Sequence, residues 1–237
     1  METAGYATLS RQTGLMNEIR VIANNIANSA TTGYRQEGLV FSEFIKDGPN
    51  QASLSMARAQ VRNTSFAQGS LTQTNGKFDV AIEGDGFFKV ETGRGERLTR
   101  AGSFTPNAEG DLVNMDGHLV MDVSGTPIFI PPDAQTIKIA ADGTISGDGR
   151  LLGQVGVFTP VNPSGLTREG GVVFRADEGS EPTEEAKVMQ GFLEGSNVNA
   201  IGQVARLVEI QRGYELGQSF LETEDQRIRA AVKALLR

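Results

Sequence analysis

All eight prolines of this 237-residue chain lie between Pro49 and Pro182, and 21 of its 29 glycines lie between Gly69 and Gly195. Proline removes a backbone donor and breaks a helix interior, while glycine supplies turn conformations. Long helices are therefore confined to the two ends, and the middle must be built from short elements joined by turns. Glycine makes up about 12% of the chain against an ordinary value of roughly 7%, without any collagen-like period.

From Thr3 to about Ala30, apolar residues recur at Leu15, Ile19, Ile22 and Ile26, with Leu9, Met16, Ala23 and Ala30 beside them. These spacings of three, four and seven predict an amphipathic helix. Gly33 stands where a left-handed C-cap is expected. At the other end, Leu207, Ile210, Tyr214, Gly217, Leu221, Glu224, Ile228, Ala231 and Leu235 form a heptad-like seam. Ser196-Asn197 provides a cap region for a helix starting near Val198. Running to the C-terminus, such a helix would be about 60 Å long, and its seam needs cover from another helix.

Between the ends the pattern changes to short apolar runs separated by Asx-Gly and Ser-Gly pairs. Segment 78–90 reads as two strands around Gly84-Asp85-Gly86. Further strands are predicted at Leu112-Val113, Leu119 to Met121, Ile128 to Ile130, Ile137 to Ile139 and Leu151 to Phe158. The expected fold is mixed α and β: N- and C-terminal helices pairing as a coiled-coil domain (1–40 and 196–237), and an inserted all-β antiparallel sandwich or barrel-like body (67–195). Residues 41–66 show weak periodicity and are expected to be a connector.

Composition excludes several chemistries. With no cysteine, the chain has no disulfide framework, thiolate metal site or thiol nucleophile. Its one histidine, His118, has no GxSxG serine to serve, and a turn position is the expected place for it. Gly-Asp-Gly at 84–86 and 147–149 lacks the spacing of a phosphate or EF-hand loop. The acidic pairs Glu83/Asp85 and Glu109/Asp111 flank turns and read as solvated surface. The net charge is −7, with +1 on residues 1–35, +1 on 196–237 and hence −9 between them. An acidic body is unsuited to nucleic acid, and no apolar run approaches a membrane span. No enzyme, cofactor or metal is expected.

Asn24, Asn25 and Asn28 are weak helix formers placed late in the first helix, where an amide in an apolar seam can specify register. They sit within 23–34, ANNIANSATTGY, which resembles the N-terminal signature of bacterial flagellar axial proteins of the rod and hook. The resemblance continues through 76–90 (GKFDVAIEGDGFFKV), 98–104 (LTRAGSF), 110–113 (GDLV), 191–198 (GFLEGSNV), Gln211 to Glu215 and Asp225. The chain departs from that pattern at Ala200 to Gln203, Gly213 and Gly217.

The resemblance implies a structural subunit of a tubular drive shaft, with terminal helices inside and β domains outside. Length and the short stretch of about forty residues between Tyr34 and Gly76 favour a proximal-rod over a distal-rod member. The implied subunit contacts are Leu15, Ile19, Ile22, Asn24, Asn25, Ile26 and Asn28 on the first helix, and Leu207, Ile210, Tyr214, Leu221, Ile228 and Leu235 on the second. Implied partners are copies of the chain, neighbouring rod subunits including the distal-rod protein, and the flagellar type III export apparatus. Phe41-Ser-Glu-Phe-Ile45 resembles the FxxxΦ export-gate motif, and Phe41 and Ile45 would carry it. The implied location is the basal-body rod crossing the periplasm, reached without a cleaved signal. A surface or periplasmic binding module and a carboxylate hydrolase are the competing classes. Limited proteolysis separates them: a rod monomer should lose roughly residues 1–40 and 195–237, whereas resistant arms in a verified monomer would count against the shaft reading.

Overall fold

The computed structural model describes residues 2–48, 51–183 and 185–235, with side chains at 8–39, 63–183 and 185–234. The chain forms two compact units, one comprising 1–29, 36–65 and 198–237, the other 30–35 and 66–197.

The first unit contains helix α1 (Glu2–Ala27) and helix α2 (Ala200–Leu235). It also contains an antiparallel strand pair, Glu37–Gly48 with Gln51–Thr64, where a connector was expected. A ladder of backbone hydrogen bonds leaves little trace in side-chain periodicity, which is why this pair escapes a pattern-based reading. It runs from Glu37↔Thr64 to Gly48↔Gln51, with register shifts after Val40 and Lys46. A lone two-stranded pair is marginal in water, and this one packs against α1.

Helix α2 is continuous for 36 residues through Gly213 and Gly217, about 54 Å. Its cap is Asn199 rather than Ser196-Asn197: the Asn199 side chain accepts from the Gly202 N–H at 3.0 Å. Helix α1 ends at Ala27, so Gly33 is left-handed (φ +69°) but caps nothing. A Cβ there would stand 2.3 Å from the Ala101 nitrogen, so Gly33 allows a close backbone approach inside the second unit.

That second unit is built from short antiparallel strands. The largest sheet runs in the order Leu166–Gly170, Val173–Ala176, Gly95–Thr99, Phe87–Thr92, Leu119–Val120, Leu112–Asn114, Phe104–Pro106; Val157–Pro160 joins it beside Phe87–Thr92 and pairs Ser180–Pro182. Ile137–Ile139, Thr144–Gly147 and Arg150–Gln154 form a three-stranded sheet. The strands on either side of Gly84 to Gly86 do not pair with each other. Val80–Glu83 pairs Lys187–Gln190, while Phe87–Thr92 enters the large sheet. Ile128 to Ile130 contributes only an isolated bridge, through Phe129 to Asp111.

Successive residues of strand Phe87–Thr92 point to opposite faces, and both faces are covered. Phe88 and Val90 enter the main core with Ile82, Leu112, Ile128 and Ile145, while Phe87 joins Leu98, Phe158 and Phe174 in a second cluster. Lys89 lies on that second side, its Nζ 4.1 Å from the Phe158 ring centroid and 3.0 Å from Glu96.

Deep in this unit lies a cluster of charge. The Glu194 carboxylate meets Arg35 Nη2 through Oε1 and Arg100 Nε through Oε2, both at 3.0 Å, and all three side chains are at most 2% exposed. Oε1 also accepts from the Gly69 N–H at 2.9 Å. Arg100 donates to the Gly84 carbonyl at 2.7 Å, and Arg35 donates to that of Ala67. Backbone bonds reinforce the cluster: Gly33 N–H donates to the Glu194 carbonyl at 2.8 Å and Asn197 N–H to that of Tyr34 at 3.3 Å. The ring of Tyr34 packs under the Arg168 guanidinium, 4.4 Å away. Burial lowers the pKa of Arg100 to about 10, opposed by the attraction of Glu194. Burial lowers that of Arg35 as well, against the pull of Glu194 and Asp85. Both remain cationic near neutrality, and Glu194 compensates them.

Two substitutions test this architecture. Glu194→Ala strands two buried guanidinium groups and should lower the unfolding free energy by about 3–5 kcal/mol in denaturant titration; adding Arg35→Met and Arg100→Met should recover much of that loss. At Gly102 a Cβ would fall 1.7 Å from the Val80 carbonyl oxygen, beside the Val80 N–H bond to the Gly102 carbonyl at 2.9 Å. Gly102→Ala should therefore destabilise by about 3 kcal/mol or more by the same assay.

Candidate assembly face

Within the first unit, α1 and α2 touch side by side in antiparallel order. Gln12 donates from Nε2 to the Tyr214 carbonyl at 3.4 Å, Leu15 lies against Gly213, Glu18 pairs with Arg206 at 2.9 Å, and Asn25 Nδ2 donates to Gln203 Oε1 at 3.3 Å. As the α1 number rises, the α2 number falls. Ile22 and Ile210 are buried; Leu15, Ile19, Ile26, Leu207, Tyr214 and Leu221 are half-buried. These residues lie on the apolar stripes expected from spacing. Val21, also buried, sits just outside the expected stripe.

Gly213 and Gly217 face α1 rather than kinking α2. A Cβ at 213 would reach Leu15 Cδ1 at 3.8 Å, and one at 217 would reach Gln12 Nε2 at 3.1 Å. Each costs about 0.5–1 kcal/mol of helix propensity relative to alanine, and that cost accompanies a close helix approach. A groove of about 280 Å³ opens beside them, lined by Arg11, Gln12, Leu15, Leu216 and Phe220 among others.

The asparagines divide by role. Asn25 is buried, and its amide completes a two-way bond with the backbone of Glu37: Nδ2 donates to the Glu37 carbonyl at 2.7 Å and Oδ1 accepts its N–H at 3.0 Å. This side chain fastens the start of the strand pair to α1 within one chain. Asn28 donates to the carbonyl and to Oδ1 of Asn24, both at 2.8 Å, closing the end of α1. Sequence reasoning missed Glu18, Gln203 and Arg206, polar residues flanking the stripe. Arg206 Nη1 also donates to Glu209 at 2.8 Å, and its hydrogen bonds to Glu18 and then Glu209 raise its pKa.

Helix α2 carries apolar residues on its other side too. Ile201 is 84% exposed, Val204 48% and Val208 42%, and three- and four-residue spacing puts them on one stripe away from Ile210 and Tyr214. Towards the C-terminus, Ile228, which lies on the Ile210 side of α2 as its spacing predicts, and Val232 beside it are about half exposed. The side chains of Phe41, Ile45 and Leu235 lie outside the described residues. Among the described residues no group of three or more His, Asp or Glu is placed to hold a metal ion, and no helix is long and apolar enough to cross a membrane. His118 occupies a turn, its backbone N–H bonded to Asn114 Oδ1 at 2.9 Å. Glu83, Asp85 and Glu109 are exposed.

Comparison with known proteins matches three family descriptions along the chain: flagella basal body rod protein over residues 6–35, flagellar hook protein FlgE/F/G D1 domain over 81–147, and flagellar basal body rod FlgEFG protein C-terminal over 189–234. The chain is 38% identical to the flagellar basal-body rod protein FlgF of Caulobacter vibrioides, covering 99% of this chain and 98% of that protein. It is 34% identical to FlgF of Mesorhizobium japonicum with the same coverage. To the flagellar basal-body rod protein FlgG of Bacillus subtilis it is 29% identical, covering 96% and 97%. A two-helix unit with apolar surface on two sides of α2, an acidic β unit and these full-length likenesses agree: the chain belongs to the flagellar basal-body rod protein family, as a structural rod subunit of the FlgF/FlgG group.

Proposed function

We propose that this subunit is the FlgF-type component of the proximal rod and that it polymerises through α1 and α2 into the tubular shaft that transmits torque. The observation that carries this reading is the second apolar stripe of α2. Ile201, Val204 and Val208 are exposed although α2 already rests on α1 through Ile210 and its neighbours. Burying such side chains is favourable by roughly 1.5–3 kcal/mol each, and helices of other copies supply that cover in a coiled-coil layer. Contacts between different patches on successive copies do not close on themselves and so grow a filament. Ile228 and Leu235, which continue the Leu207, Ile210 and Tyr214 seam towards the C-terminus, are further contacts. Asn24 and Asn28 sit at the same end of α1 as Asn25, placed to set the register of neighbouring helices.

In this reading the terminal helices form the axial core and the 66–197 unit lies outside it, where its acidic surface is solvated. Neighbouring rod subunits, including the distal-rod protein, are the partners, and the rod crosses the periplasm. Export proceeds through the flagellar type III apparatus without a cleaved signal, with Phe41 and Ile45 engaging its gate. The chemistry is mechanical, with no catalytic step. Membership of the distal rod is the second reading, favoured by the near-complete alignment with Bacillus subtilis FlgG. Coverage and identity together support FlgF: 38% and 34% over 99% of the chain, against 29% over 96% for FlgG of Bacillus subtilis and 34% over 88% for FlgG of Agrobacterium fabrum.

The test places charge on the exposed stripe. Val204→Glu with Val208→Glu should change the thermal stability of the isolated subunit by less than about 1 kcal/mol. Cells carrying only that variant should be non-motile, with truncated rods in electron micrographs of isolated basal bodies. Intact hook–basal bodies would refute the assembly reading. Complementation of strains lacking either FlgF or FlgG decides between the two rod positions.

A further inference from the structure

We propose that Asn75 is a self-modifying residue, which its own loop converts through a cyclic imide into an aspartyl or isoaspartyl residue. Asn75-Gly76 is the one Asn-Gly pair of the chain. It lies within the 66–197 unit, between strands Leu71–Gln73 and Val80–Glu83, and Asn75 is exposed.

Ring closure within an Asn-Gly pair needs the glycine nitrogen as nucleophile, a base for its proton, and an activated side-chain carbonyl. All three are in place. The Gly76 N–H donates to Thr74 Oγ1 at 3.3 Å, and Thr74 Oγ1 donates to Asp79 Oδ2 at 2.6 Å, so a hydroxyl links the nitrogen to a carboxylate. A Cβ built on Gly76 would stand 2.4 Å from Asp79 Oδ2. The carboxylate therefore lies directly over this glycine, and a side chain there would displace it. On the other side, Gln73 Nε2 donates to Asn75 Oδ1 at 2.9 Å, the oxygen on which negative charge develops during attack. Asn75 is left-handed, with φ +59°, and Gly76 follows it outside the strand ladder that ends at Gln73.

In the reaction the Gly76 nitrogen bonds to Asn75 Cγ while its proton passes through Thr74 to Asp79, the general base. The proton returns to the departing amide nitrogen, ammonia leaves, and a five-membered imide remains. Water then opens the imide at either carbonyl, giving the aspartyl or the isoaspartyl product. Loss of ammonia makes the change one-way. Each product adds a negative charge to an already acidic unit, and the isoaspartyl form adds a methylene to the main chain. The loop that receives it is clasped at Gly191: the Thr74 and Asn75 N–H groups donate to the Gly191 carbonyl at 2.7 and 3.1 Å, and the Gly191 N–H donates to the Asp79 carbonyl at 2.7 Å. The modification thus distinguishes old subunits from new ones, and it does not depend on the rod assignment.

The test incubates the full chain, folded and in denaturing urea, in ¹⁸O-labelled water, and follows every asparagine by peptide mass spectrometry. Folded Asn75 should convert at least as fast as in urea, where the relay is dispersed, and ahead of the other asparagines. Its rate should be flat between about pH 6 and 8, because a carboxylate is ionised throughout that range. The denatured chain should instead speed up in proportion to hydroxide. Ser103 Oγ lies 3.5 Å from Asp79 Oδ1, and Lys77, the one cation of residues 74–79, is engaged by the Gln135 carbonyl at 3.2 Å. Thr74→Val should slow conversion by about tenfold or more, Asp79→Asn should match it, and Thr74→Ser should keep the wild-type rate. Circular dichroism checks that the variants fold, and the wild-type comparison stands without them. A folded chain slower than the denatured one, a folded rate proportional to hydroxide, or a folded Thr74→Val variant as fast as wild type overturns the proposal.

Discussion

Two arginines and a glutamate buried together set the terms for the rest of the β unit. Ions removed from water lose several kcal/mol of solvation each unless they compensate one another at short range. Glu194 does this for both Arg35 and Arg100 at 3.0 Å. The consequence is positional. Residues 33–35, 67–69, 84, 100 and 194–197 must meet at one point, held by charge and by backbone bonds such as Gly33 to Glu194. Strands of two to six residues make few ladder bonds apiece, and no disulfide ties this unit together. A non-local fastening with strict geometry supplies the specificity that such strands lack. The same fastening holds side by side the segment that follows α1 and the segment that precedes α2. The segments meeting there are those that carry the family resemblance: TTGYR, the Gly-Asp-Gly turn, LTRAGSF and LEGSNV.

The helical unit follows a different principle. Its internal contacts are apolar stripes with polar flanks, and close approach is obtained by omitting side chains at Gly213 and Gly217. An intramolecular partner for one face of α2 leaves the other face, with Ile201, Val204 and Val208, for a different role. A lone soluble domain would place polar residues there. The β unit shows no comparable helical stripe, and its two clusters fill both sides of the strand that begins Phe87-Phe88. The buried charge cluster thus belongs to the β unit, and the exposed apolar helix stripe to the other.

Much of this was legible beforehand, for identifiable reasons. Helix periodicity at Leu15 to Ile26 and Leu207 to Leu221 is a local property, so both helices and their inner stripes follow from spacing. Asx-Gly turns specify positive φ, and Gly117, Gly143 and Gly149 adopt it. The strand pair at 37–64 escaped because its ladder is a backbone property. Asn25 was recognisable as an unusual helix residue, yet its bond to Glu37 depends on where the chain returns. The charge cluster gave no local signal, since Arg35, Arg100 and Glu194 are far apart in sequence and each resembles a surface residue.

The amino-acid order alone therefore determined the division into proline-free helical ends and a glycine-turned β middle, the apolar stripes, and the exclusion of cysteine chemistry. These depend on propensities and periodicities that act within a few residues. Only the tertiary structure decided that the strands flanking the 84–86 turn pair elsewhere rather than with each other, that Gly33 serves a close approach rather than a cap, and that three scattered charges are buried together. Those outcomes depend on long-range desolvation and steric contact, which arise only when distant segments occupy the same place.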